Sequence, residues 1–216
     1  MAIKYTVDHI PRSTPHNRRP GHPMAATTIT IHNTGNPSSS AKNERAWLTS
    51  PSNDRTASYH IVIDEHGAIE TLPLDEVGWH AGDGNKITGG NRTSIGIEIC
   101  ESGDYAKTLE NAVELVASML KYRGWGVDRL RRHFDWSGKI CPRQMYDGGR
   151  WTGWEQFKTK VEEKMKEEKQ MLKAEDANRI IPFLSAAYMA TNDKEARTEF
   201  NRLANELRIA SGQPKQ

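Results

Sequence analysis

Cysteine is scarce in this chain, with two in 216 residues, so Cys100 and Cys141 cannot build the disulfide framework that staples small secreted domains. No apolar run approaches the length needed to span a bilayer, which predicts a soluble protein without membrane insertion. The opening stretch, MAIKYTVDHIPRSTPHNRRPGHPM, carries basic residues but no apolar segment, so no secretory signal is expected in it. An excess of one charge is also missing. The 30 basic residues are nearly matched by 28 acidic ones, for a net charge of +2. Without a basic patch there is no electrostatic case for nucleic acid as a partner. Hydrophobic residues make up 36% of the chain, which suffices for one packed core and an appendage.

The patterning supplies the elements. Residues 1–24, rich in Pro, Arg and His, read as an irregular lead-in on the surface. ATTITIH (26–32) alternates, with Ile29 and Ile31 on one face and Thr28, Thr30 and His32 on the other, as in a half-buried strand. NTGNPSSS (33–40) is a loop and AKNERAWLTS (41–50) a short helix. SYHIVIDEHGAIETLP (58–73) reads as a hairpin turning at DEHG, and GWHAGDGNKITGGNRTS (78–94) as a long loop of functional character. SIGIEIC (94–100) alternates again, with Gly96, Glu98 and Cys100 opposite three isoleucines. LENAVELVASMLKYRG (109–124) carries a helical apolar stripe stopped by Gly124. The order predicts an α/β or α+β domain over residues 1–154. A charged helical linker is expected over 155–175, then a small helical domain over 176–216. In its last helix Ala196, Phe200, Leu203 and Leu207 share a stripe, and Asn192 with Glu195 forms a capping-box pattern.

The chemistry concentrates in a few side chains. HFDWSGKICP (133–142) brackets a loop whose Ser, Gly and Pro let it fold back, bringing His133 and Cys141 toward one point. His32 sits at a strand end, and Glu98 projects from a neighbouring strand. Two imidazoles and a thiolate with a fourth position open to water are what a catalytic zinc site requires. Each residue alone is more often a surface or hydrogen-bonded side chain, and Cys141 alone a small buried hydrophobe.

Five segments, TITIHNT (28–34), SYHIVIDEHG (58–67), WHAGDGN (79–85), GNRTSIGIEIC (90–100) and HFDWSGKICP (133–142), resemble in order and content the zinc-dependent N-acetylmuramoyl-L-alanine amidases. These have the type-2 amidase and peptidoglycan-recognition-protein fold, and the likeness is nearest to phage endolysins of Bacillus-like hosts. The resemblance covers roughly residues 24–155. It implies a central mixed β-sheet flanked by helices, with the helical segment appended. It also implies Zn2+ held by His32, His133 and Cys141, with Asp135 as a lesser rival to the cysteine. The implied reaction is hydrolysis of the amide between N-acetylmuramic acid and L-alanine in bacterial peptidoglycan. By the same resemblance Glu98 is the general base, Lys139 stabilises the oxyanion and Tyr59 assists at the water. His80, Asn91 and Trp79 are expected to contact glycan or stem peptide. The alternatives are a non-catalytic peptidoglycan-binding protein of the same fold and a host-encoded autolysin. The absence of a leader predicts residence in the host cytoplasm until a holin releases the protein to the wall. The tail is expected to bind cell wall, with self-association through its helices as the alternative.

Overall fold

The computed structural model describes residues 3–167 and 173–215. Residues 168–172, part of the expected linker, lie outside the described residues. Six strands form one sheet: β1 (Tyr5–Val7), β2 (Thr28–Asn33), β3 (Ile61–Asp64), β4 (Gly67–Glu70), β5 (Ser94–Ile99) and β6 (Leu130–Arg132). Their order across the sheet is β1-β4-β3-β5-β2-β6. Only β3 and β4 pair antiparallel, as the hairpin pattern predicts; every other neighbouring pair is parallel. The sheet is therefore mixed, as expected.

Parallel neighbours require crossovers, and these bring helices onto the sheet. Helix α1 (Ala41–Trp47) follows β2 and packs on β3 and β4. Helix α3 (Tyr105–Arg123) follows β5 and lies on β3 and β5. It begins four residues before the predicted stripe because Asp104 caps it, its side chain accepting from the Lys107 N–H at 3.0 Å. Gly124 ends it in the left-handed region, φ 66°. Two one-turn helices, α2 (Gly90–Thr93) just before β5 and α4 (Phe134–Ser137) just after β6, punctuate the loops.

Two expectations change. Strand β2 is buried at all six positions, not on one face. It is an inner strand between β5 and β6, covered on both sides, so its threonines and His32 are inside too. The lead-in is also not merely surface. It contributes β1, which extends the sheet beside β4, and it buries Ile10 and Arg18 completely. Arg18 donates to the carbonyls of Leu48 (2.7 Å), Arg55 (2.9 Å) and Asn53. One guanidinium thus ties the end of α1 to the segment that follows it.

The chain divides into two compact units, residues 1–162 and 163–216. The first runs past the expected boundary at 154 because α5 (Thr152–Glu167) turns Trp154, Phe157 and Val161 into the interior. In the second, α6 (Ala174–Ala190) and α7 (Lys194–Ala210) pack on each other. Their small core holds Ala177, Ile181 and Ala204, with Leu184 and Leu207 against it. Leu203 of the predicted stripe lies at its exposed margin. The cap of α7 is Asp193, one residue after the predicted Asn192; its carboxylate accepts from the Glu195 and Ala196 N–H groups.

Candidate metal centre

Register alignment sets the first half of the site. His32 on β2 pairs with Glu98 on β5, so their side chains leave the same face. The second half comes from the turn after β6. His133 directly follows the strand, α4 and Gly138 reverse the chain, and the Phe134 N–H closes the turn onto the Cys141 carbonyl at 3.2 Å. His133 and Cys141 are thereby returned to the end of β2. The Nδ1 atoms of His32 and His133 lie 3.1 Å apart, and Cys141 Sγ lies 3.8 Å from His32 Nδ1. All three residues are buried, their donor atoms within 4.8 Å of one another. Tetrahedral zinc with nitrogen at about 2.0–2.1 Å and sulfur at about 2.3 Å separates its donors by roughly 3.3–3.6 Å, so the cluster fits.

The surroundings suit a cation as well. Glu98 Oε1 stands 3.9 Å from His32 Nδ1, and its Oε2 is buried without a hydrogen-bond partner among the described residues. Burial, then Glu44, pushes the Glu98 carboxyl up to about 8, while Lys139 pulls it back. Burial lowers His32 well below the ordinary imidazole range and lowers His133 to about 4. Both rings are therefore neutral donors at pH 7. Burial also pushes the Cys141 thiol up to about 12; a metal that demands thiolate must overcome that cost, and without one the sulfur stays protonated.

An open cleft of about 700 Å³ lies over the cluster. Glu98, His133, Lys139, Tyr59 and Trp79 all line it. Lys139 is exposed, and its charge acts on His32, His133, Glu98 and Cys141 alike. The Tyr59 hydroxyl is turned to α1, where it donates to the Glu44 carbonyl at 2.9 Å. Trp79 is half-buried, its indole N–H on the Asn17 carbonyl at 2.7 Å.

Two of the expected contact residues are mostly buried, although His80 still lines the cleft. Asn91 is buried and pins the loop, its Oδ1 accepting from the His80 and Ala81 N–H groups and its Nδ2 donating to the Gly84 carbonyl. His80 lies buried beside His32, its Nδ1 3.1 Å from His32 Nε2. Asp135, the rival ligand, is outside the cluster and engaged by Arg132 at 3.0 Å. Sequence reasoning passed over His60 and Gly96, which sit behind His80. A Cβ on Gly96 would lie 2.6 Å from the His80 ring. A glycine in the middle of an alternating strand is the signal for such close approach.

Comparison with known proteins points the same way. The family profile described as N-acetylmuramoyl-L-alanine amidase (Amidase_2) matches residues 22–144. CwlA of Bacillus subtilis, named an N-acetylmuramoyl-L-alanine amidase, is 41% identical over 170 residues, covering 77% of this chain and 60% of its own length. XlyB of the same organism, named likewise, is 43% identical over 146 residues, 66% of this chain and 44% of its own. The chain thus spans between about two fifths and three fifths of these relatives. Among solved structures, the catalytic domain of XlyA superposes with a TM-score of 0.66 at 39% identity, covering 74% of this chain and 99% of that domain. PlyL gives 0.64 at 34% identity, covering 74% and 98%. With a buried His/His/Cys cluster under an open cleft, and with a family match over more than half its length, this chain belongs to the N-acetylmuramoyl-L-alanine amidase family.

Proposed function

We propose that the chain is a zinc-dependent endolysin that hydrolyses the amide between N-acetylmuramic acid and the L-alanine of the stem peptide in bacterial peptidoglycan. The observation that carries this reading is the convergence of His32, His133 and Cys141 beside a partnerless Glu98 oxygen at the floor of the cleft. His32, His133 and Cys141 would hold the zinc, which when bound supplies a Lewis acid that polarises the carbonyl and acidifies water. Glu98 takes the proton of the attacking water and hands it to the leaving amine. A positive charge in the cluster favours the carboxylate form that burial of Glu98 otherwise disfavours. Lys139, an exposed cation of the rim, meets the developing oxyanion. Tyr59 braces α1 through Glu44 and lines the cleft, where it would assist at the water. Trp79 offers an apolar surface to the glycan or peptide. His80 and Asn91 shape the loop behind them.

Purified cell walls test the reaction. Loss of turbidity with new amino-terminal alanine is expected; release of reducing sugar without it would mean a glycosidase, and binding without either product a recognition protein.

The second unit is assigned to holding the enzyme on the wall. Its α6–α7 pair has its own core yet leaves Phe183 and Met189 about three quarters exposed, apolar groups that a wall ligand could cover. Residues 163–216 fused to a fluorescent protein should label host walls. Unlabelled walls together with a dimer in sedimentation would assign the face to self-association. As an endolysin the protein acts on the wall after release from the host cytoplasm through a holin lesion.

A further inference from the structure

We propose that His80 is a positioning residue, one that fixes the proton of His32 so that the ligand always presents a bare Nδ1 to the metal. This rests on the reading of His32, His133 and Cys141 as a metal centre.

The proton positions follow from the backbone. His80 Nε2 lies 2.9 Å from the Ser94 carbonyl. A carbonyl can only accept, so this nitrogen carries the hydrogen. A second proton on His80 would create a buried imidazolium whose ring partners are a carbonyl and another imidazole, with no carboxylate to compensate it. His80 Nδ1 is therefore an acceptor, and His32 Nε2, 3.1 Å away, donates to it. A neutral imidazole has one N–H, so the remaining nitrogen of His32 is a lone pair. That atom, Nδ1, is the one facing His133 Nδ1 and Cys141 Sγ.

The relay is built in rather than incidental. The His80 ring fits across β5 only because residue 96 has no side chain. On its other side the His60 ring stands 5.6 Å away, edge to face. His60 is itself locked, with Nε2 on the Glu76 carbonyl at 2.8 Å and Nδ1 accepting the Gly96 N–H at 2.9 Å. Asn91 holds the His80 main chain at 2.7 Å. Every polar atom around the ring is thus committed, and a flip of His80 would break the contacts at both of its nitrogens. Ligand histidines usually donate their second N–H to a carboxylate, a carbonyl or water. Here a second imidazole is interposed, and a single backbone carbonyl sets the tautomers of both.

The test uses the full chain and two readouts besides activity. Long-range proton–nitrogen correlation on the metal-free protein should show His32 as the Nε2–H tautomer. Competition with a chelator gives its zinc affinity. His80→Leu should shift His32 toward the other tautomer and weaken zinc about 10–100-fold. His80→Asn, whose Oδ1 falls near the former Nδ1, should restore most of both, and Gly96→Ala, which dislodges the ring, should act like the leucine. A His80→Leu protein with unchanged tautomer and zinc affinity would overturn the proposal, even if its melting temperature fell, as would a His80→Asn protein no better than the leucine variant. Should the leucine variant fail to fold, the asparagine and alanine variants decide it. Failure of the unaltered protein to bind zinc would remove the metal reading and this one together; normal binding by both proteins removes this one alone.

Discussion

At the scale of single residues the candidate centre separates ligation from proton transfer. Cys141→Ser should strip most zinc from the purified protein, read by metal analysis, because a serine hydroxyl is a far poorer zinc donor than thiolate. Glu98→Gln should keep the metal and the fold while lowering kcat by about 10²–10⁴-fold. Retained activity in that variant would transfer the base to another group. Lys139→Met should lower kcat on the order of 10²-fold with zinc unaffected. The strand end of His32 and the Ser/Gly/Pro return of His133 and Cys141 made their convergence legible, while the choice of these three as a ligand set came from the resemblance of five segments to a family. The roles of His60, His80 and Gly96 were not legible. Their partners are backbone carbonyls and amides together with the His32 ring, up to 48 residues away, and no local pattern encodes such a partner across a sheet.

At the scale of elements, hydrophobic period was a good guide to type and a poorer one to burial and limits. The isoleucine alternation located β2 and β5, but only the strand order makes β2 an inner strand with both faces covered. The start of α3 and the cap of α7 moved by a few residues because side-chain capping outweighs the apolar stripe at helix ends. The lead-in was the larger miss, since an arginine normally marks the surface. Arg18 instead lies inside, donating to three carbonyls of the cleft wall. Arg18→Met should leave those oxygens without donors and cost ~3 kcal/mol in a urea titration. A loss below ~1 kcal/mol would show that water replaces the guanidinium.

At the scale of the whole molecule, buried neutral and paired groups set the response to acid. The His60 ring is lowered to about 4 by burial, against about 6.5 when unfolded. Below about pH 6.5 the unfolded chain therefore takes up a proton that the folded protein refuses until about pH 4, and stability falls as the pH drops across that window. Glu76, held at about 2 chiefly by its hydrogen bond from Arg19 and further by Arg12, contributes in the same direction. Its contribution is complete above pH 4.5 and is lost as the pH falls toward 2. Glu98, raised to about 8 by burial, acts in the opposite sense in the metal-free protein. Urea midpoints of the Glu98→Gln protein between pH 7 and pH 4, in excess chelator, should therefore decline steadily; a flat profile would mean that the His60 ring charges in place.

His32 and His133 stand 101 residues apart in sequence. An ion gripping both closes most of the first unit into a single large ring, the kind of tether whose removal frees the greatest chain entropy. Lacking a disulfide, the unit would own one removable covalent-like clasp. Zinc at 100 times its Kd should raise unfolding free energy by ~2.7 kcal/mol, and stripping the ion should make the first unit markedly easier to unravel.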